Sequence, residues 1–287
     1  MKFEMNQAWR DAAVMIGENG VTLSILAGVF VFVPRLASTF AFADYQSQSM
    51  ADLRSIFAGQ PRAVSQVTTS DLLSIYLVSL VAMLIGFVGY LSMTAVLAER
   101  DRPNVVGAVL KTLKYFPSLI VATMVVLIVY AVGLVAVGLA IGALSVGLGA
   151  GSVFLVIILV ILYLLSLLFL AAKFALIMPV MVYERRLNPF GALARAWRLT
   201  SGNSWRLFGF FILLTLVYVA IVGIATGSIL AAFSAAIAEG STVARIASGV
   251  FGGLLGAAVS IASAAIIVAI YRQLAGPTDE SLVHTFE

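Results

Sequence analysis

Long apolar runs alternate along the chain with short polar or glycine-rich connections, and six of the runs are long enough to cross a bilayer as helices. They extend roughly from Val21 to Ala43, Leu72 to Ala98, Ser118 to Leu144, Ser152 to Val182, Leu207 to Ala238 and Ile246 to Tyr271. Crossing about 30 Å of hydrocarbon takes about 20 apolar residues as helix, and a backbone group left unpaired there costs several kcal/mol. The pattern predicts an all-α integral membrane protein with six transmembrane helices. Runs longer than the hydrocarbon can tilt or extend beyond it.

Composition supports this, because 62% of the 287 residues are hydrophobic and 10% charged. A water-soluble core of that make-up would lack the polar surface to cover itself. Lys and Arg then orient the spans. Lys2, Arg10, Arg100, Arg102, Lys111, Lys114, Arg185, Arg186, Arg195, Arg198, Arg206 and Arg272 share one side if there are six spans, and Arg54, Arg62 and Arg245 the other. By the positive-inside rule the richer side is cytoplasmic, with both termini, as expected of a multi-pass protein of the bacterial inner membrane. The net charge of +4 thus follows topology and is no sign of a nucleic-acid partner. Ala41, Phe42 and Ala43 also form a small-x-small pattern like a signal-peptidase site, but Glu4, Asp11 and Glu18 occupy what would be its basic region, which favours retention as a first span.

An internal repeat is legible in the loops. Sliding the chain along itself until Gly107 meets Gly191 lays Gly107-Ala108-Val109-Leu110-Lys111-Thr112-Leu113-Lys114 on Gly191-Ala192-Leu193-Ala194-Arg195-Ala196-Trp197-Arg198. Each copy precedes a pair of spans. At about 100° per residue, Gly191, Arg195 and Arg198 fall in one narrow arc, as do Gly107, Lys111 and Lys114. Both segments read as amphipathic helices lying in the membrane interface. Asn188 can cap the second with Pro189 at its first position, while Asp101 or Arg102 precedes Pro103 in the first. Ala8-Trp9-Arg10 matches Ala196-Trp197-Arg198 and suggests a third, degraded copy. The expected organisation is one membrane domain of three helix-plus-hairpin units, 1–98, 99–183 and 184–272, with a cytoplasmic tail at 273–287. The alternative is that any cytoplasmic loop of a membrane protein tends to be basic and amphipathic.

The last span carries Ser248, Gly252, Gly256, Ser260 and Ala264 at four-residue spacing, which puts them on one helix face where another backbone can come close. Intramolecular packing is the simplest use of that face, with an oligomer interface or a substrate groove as alternatives. The connection with Gly142, Gly147, Gly149 and Gly151 reads as a tight external turn. The longer one from Asp44 to Asp71 can hold a short helix near Asp52 to Phe57.

Two basic residues, Lys173 and Arg35, fall inside spans, where an ionisable group is a functional candidate. Each is near enough to a span end to snorkel instead, and no mid-span carboxylate is there to pair with either. Cysteine is absent and the single histidine, His284, is in the tail, so no Cys or His metal site and no Ser-His base is expected. No phosphate loop, His-Glu-x-x-His or paired carboxylates are found. The chain is expected to be no enzyme and to need no cofactor.

Around the fourth connection, Pro179, Glu184, Asn188-Pro189, Ala192-Leu193, Arg195-Ala196-Trp197-Arg198-Leu199-Thr200 and Gly202-Asn203 resemble a signature of the bacterial membrane domain associated with glycerophosphoryl diester phosphodiesterases. In fused relatives a soluble catalytic barrel follows, whereas this chain stops at Glu287, shortly after Tyr271. The resemblance therefore implies a membrane module without phosphodiesterase activity. The resulting expectation is a non-catalytic protein of envelope or lipid homeostasis, contacting membrane lipids, anionic headgroups or a partner protein through Lys111, Lys114, Arg185, Arg186, Arg195, Arg198 and Arg206. A transporter or channel for a small or amphipathic solute, and a scaffold for a partner protein, are the alternatives. A polar-lined cavity would favour transport, and a solid core would speak against it.

Overall fold

The computed structural model describes residues 3–43, 45, 48, 52, 55, 69–98, 104–148, 153–239 and 241–276, none of them in a strand. Helix α1 (Met5–Ala27) continues through a π-turn (Gly28–Phe32) into α2 (Val33–Ala41). Then come α3 (Thr69–Ala98), α4 (Val105–Leu113), α5 (Phe116–Leu148), α6 (Val153–Phe174) and α7 (Ile177–Tyr183). The last described helices are α8 (Pro189–Ser201), α9 (Ser204–Ala238) and α10 (Thr242–Ala275). Among the described residues six stretches are long and apolar enough to cross a membrane: Met5–Ala41, Leu72–Ala98, Phe116–Gly147, Val153–Tyr183, Ser204–Phe233 and Thr242–Ala275. Along α5 and α6, Val132, Leu139, Phe154 and Leu162 are exposed, as side chains of lipid-facing helices are.

The helix that carries the first apolar run, expected from about Val21, itself starts at Met5. Ala8-Trp9-Arg10 is thus part of the span helix itself, with no break to set off a third short helix. The expected helix near Asp52 to Phe57 falls mostly outside the described residues, as do Gly149, Gly151 and the tail from residue 277.

Prolines explain the interruptions. Pro34 has no N–H and its ring crowds the carbonyl four residues back, at Phe30. The ladder meets this with the π-turn, where the Val33 N–H bonds to the Gly28 carbonyl. Pro179 does the same to Ala175, and there α6 gives way to α7 at a short turn. Helix α7 ends with the Arg186 N–H on the Met181 carbonyl at 3.1 Å and Arg185 at φ 51°, a Schellman closure in which arginine takes the left-handed position glycine usually fills.

Helices α4 and α8 both start on asparagine. Asn188 Oδ1 accepts from the N–H groups of Phe190 and Gly191 at 3.0 and 3.2 Å, and Asn104 Oδ1 accepts from Gly107 N–H at 2.7 Å. Asn104, which falls on Asn188 when the two copies are aligned, therefore caps α4 in place of the expected Asp101 or Arg102. A Cβ on Gly107 would lie 2.9 Å from Asn104 Oδ1, so the glycine leaves room for the cap. The equivalent positions Ala108 and Ala192 are both fully buried, as are Thr112 and Ala196.

The chain divides into two compact units. The first comprises Met1–Ala12, Leu113–Thr215 and Ile266–Glu287, and the second Ala13–Thr112 and Leu216–Ala265. In the first unit, α8 packs against α5, α6 and α7. The chain's start is held there too. Phe3 donates its N–H to Asn203 Oδ1 at 3.0 Å, and the rings of Phe3 and Trp9 stand edge-on to Phe210.

In the second unit, the π-turn and α2 pack on α3. A Cβ on Gly89 would run into Phe30 Cβ, one on Gly253 would come within 2.6 Å of the Phe32 ring, and one on Gly249 within 2.8 Å of Thr39 Oγ1. At these three glycines a neighbouring helix comes too close for a side chain. Helix α4 joins α3 through Ser92 and Thr112, whose hydroxyls are 3.1 Å apart.

Candidate functional site

A cavity of about 780 Å³ opens within the second unit. Four helical stretches supply its walls, each with one face. Phe30, Pro34, Arg35, Ser38 and Thr39 come from the first, and Ser79, Met83, Gly86 and Tyr90 from α3. Tyr218, Val222 and Thr226 come from α9, and Ser248, Gly252, Gly256 and Ser260 from α10. Spacings of three and four residues put each set on one side of its helix. The volume lies within the roughly 300–1,000 Å³ of small-molecule sites.

The small residues of α10 thus divide into two rows. Gly249 and Gly253 take the close approach of the first span. A Cβ at Gly252 or Gly256 would instead sit 3.8 Å from Arg35 Nε or 3.6 Å from Val31 Cγ1, at ordinary contact distances. The row singled out in the sequence, Ser248, Gly252, Gly256 and Ser260, is a cavity wall, and the tight packing lies one residue along.

Hydrogen bonding sets what the wall can offer. Ser38 Oγ donates to the Pro34 carbonyl at 2.7 Å, Ser248 Oγ to Arg245 at 2.9 Å and Ser260 Oγ to Ala257 at 2.8 Å. Their lone pairs remain available while their protons are engaged. The Tyr90 hydroxyl is shielded from solvent and has no partner among the described residues. No Asp or Glu is part of the lining.

The basic residues of the fourth connection meet a different fate. Glu184, with its side chain 18% exposed, accepts from Arg186 Nε at 2.7 Å and from Arg195 Nε at 2.8 Å. The Tyr271 hydroxyl reaches Glu184 Oε1 at 3.4 Å, and Arg272 Nε donates to the Tyr183 hydroxyl at 3.1 Å. One carboxylate at the end of α7 thereby ties α8 to the end of α10. Arg185, Arg198 and Arg206 are exposed, as are Lys111 and Lys114, the latter 5.0 Å from the centre of the Tyr115 ring.

Lys173 is only 5% exposed. Its Nζ donates to Ser204 Oγ at 2.6 Å and lies 4.7 Å from the Trp197 ring centre and 5.7 Å from that of Phe169. Ser204 Oγ in turn donates to the Thr200 carbonyl at 2.9 Å. The ammonium thus rests near the carbonyl end of α8, where the helix dipole favours a cation. Rather than running out to water, it fastens α6 to α8 and α9 through aromatic faces and one hydroxyl. Glu184, Ser204 and Tyr90 were not identified from sequence as site residues. A tyrosine on the face of Ala82 and Gly86 was the available signal for the last.

A second space, about 390 Å³, lies in the first unit between α5 and α6, where the Tyr163 hydroxyl donates to the Tyr130 carbonyl at 3.0 Å. Its other walls are almost wholly apolar. Among the described residues no cluster of His, Cys, Asp or Glu could hold a metal ion.

A family model described as a domain of unknown function (DUF7847) matches residues 4–274, and the chain belongs to that family. No curated protein and no solved structure matches it.

Proposed function

We propose that this member of the DUF7847 family is a multi-pass membrane protein that takes an amphipathic or small solute into the cavity of its second unit, in the service of envelope or lipid homeostasis and without a chemical step of its own. The observation that carries this reading is the cavity itself, with hydroxyls, a guanidinium and small residues on walls that are otherwise apolar. A solid Leu/Ala/Gly core would have spoken for an inert module.

The charge bias supports a bacterial inner-membrane topology with cytoplasmic termini, in which the cavity-lining segments lie toward the external ends of their spans. Helices α4 and α8 then lie at the cytoplasmic interface ahead of span hairpins. Trp9, Trp197 and Trp205 are all exposed on segments assigned to that side, where tryptophan is enriched. Pairing of Arg186 and Arg195 with Glu184 lowers the charge left for anionic headgroups and weakens a purely electrostatic role. Arg198 and Arg206, exposed beside Trp197 and Trp205, keep a partner protein or lipid surface as a second reading.

Native mass spectrometry of protein extracted gently from its own membrane tests the first reading. A tightly retained small molecule or lipid is expected on the wild type. Gly86→Leu, which fills the cavity at a position where a Cβ meets nothing within 4 Å, should lose it. Identical adducts on both proteins would refute the assignment.

A further inference from the structure

Resting on the cavity reading above, we infer that the bound molecule is an amphipath with a negatively charged head, and that Arg35 is the residue that reads the charge. Arg35 stands one residue after Pro34, just beyond the π-turn. A π-turn adds a residue to the helical turn, so every later side chain is rotated by about 100° from where an unbroken α-helix would put it. The register after the bulge places Arg35 on the cavity wall, with its Nε 3.8 Å from the position of a Cβ on Gly252. The guanidinium lies along the small-residue row of α10, and glycine there leaves space for it.

Its charge has no counter-charge at hand. Among the described residues Arg35 forms no ion pair, and the lining contains no Asp or Glu. An arginine does not shed its proton, so a guanidinium inside a membrane protein is stable when an anion, or abundant water, meets it. The donors point the same way. The protons of Ser38, Thr39, Ser248 and Ser260 are committed to backbone carbonyls, the hydroxyls of Ser79, Tyr90, Tyr218, Thr226 and Ser263 are neutral, and the Arg35 fork is the one charged donor of the lining. A cationic ligand would meet Arg35 as a like charge, and a neutral one would leave it unpaired. A carboxylate or phosphate matches the fork. Val31, Met83, Leu255 and Val259 supply apolar wall for a tail.

The test compares ligands that differ only in the head. Purified full-length protein in detergent is titrated with radiolabelled palmitate, hexadecyl phosphate and hexadecanol. Wild type should bind both anionic amphipaths about tenfold or more tightly than the alcohol, the margin expected of a charge-assisted hydrogen bond. Arg35→Gln should erase that margin, Arg35→Lys should keep part of it, and Tyr90→Phe should weaken palmitate several-fold. Equal binding of palmitate and hexadecanol by wild type, a comparison that needs no variant, would overturn the charge inference while sparing the cavity reading. Binding of neither would overturn both. Displacement of palmitate by millimolar acetate or inorganic phosphate would show a soluble anion to be the ligand and sink the amphipath. A folded Arg35→Gln protein that keeps the margin would mean that Arg35 runs out to water instead.

Discussion

Gly86 and Gly89 lie about one helical turn apart on α3, and adding a methyl group to each should have opposite consequences. In a helix interior alanine is favoured over glycine by about 1 kcal/mol. At Gly86 nothing lies within 4 Å of the new Cβ, so that gain should survive in Gly86→Ala. At Gly89 the Cβ would overlap Phe30 Cβ and lie 3.0 Å from Phe30 Cγ. Those atoms are fixed close to the backbone of the π-turn and cannot swing aside, so α3 and the first span must separate. Overpacking of this kind costs about 1–3 kcal/mol, and because the helix gain is common to both positions, Gly89→Ala should lie about 1–3 kcal/mol below Gly86→Ala. Circular dichroism during SDS titration in mixed micelles would read the difference as a lower midpoint. Phe30→Ala should not restore Gly89→Ala, because alanine keeps the offending Cβ. Equal stability of the two glycine variants would refute the close approach of α3 to the first span.

Lys173→Met should leave stability within about 1 kcal/mol of wild type, since it removes a desolvated charge and leaves no buried donor unpaired, whereas Ser204→Ala strands the ammonium and should cost about 2 kcal/mol; the double variant should return to the Lys173→Met level in the same SDS titration. Glu184→Gln leaves Arg186 and Arg195 without their carboxylate and should cost about 1–2 kcal/mol, discounted for partial exposure, and should speed proteolysis between α7 and α8. Asn104→Ala and Asn188→Ala should each cost about 1 kcal/mol by thermal melting, and a loss at only one of them would separate the two halves of the apparent repeat.

The span count was legible because hydropathy integrates over about 20 residues and tolerates local errors. Boundaries were not, and the first span shows why. Glu4, Asp11 and Glu18 break the apolar pattern in sequence, yet the helix runs without interruption from Met5 past Asp11 and Glu18, because such charges do not stop a helix that lacks a proline until Pro34. The matching octapeptides around Gly107 and Gly191 were visible in the sequence, but the asparagine that caps α4 was missed because Pro103 drew the expected helix start too early. Small residues at four-residue spacing on α10 flagged a face where something approaches. The pattern alone could not tell a packing row from a cavity wall, since Gly253 and Gly252 differ only by the roughly 100° between neighbours on a helix. Lys173 was found by its position in a span, but its partners Ser204 and Trp197 lie far along the chain, beyond Pro179 and Pro189, and nothing in the sequence pairs them with it. Tyr90 required knowledge of what faces it.

Site-directed labelling offers the most direct test of the cavity, because the chain has no cysteine and any introduced thiol is unique. Ser260→Cys puts a thiol on the cavity wall and Val132→Cys puts one on the exposed face of α5. With a small maleimide in detergent, palmitate should slow labelling at residue 260 several-fold and leave residue 132 untouched. Equal protection of both sites, or of neither, would contradict a solute-holding cavity in the second unit.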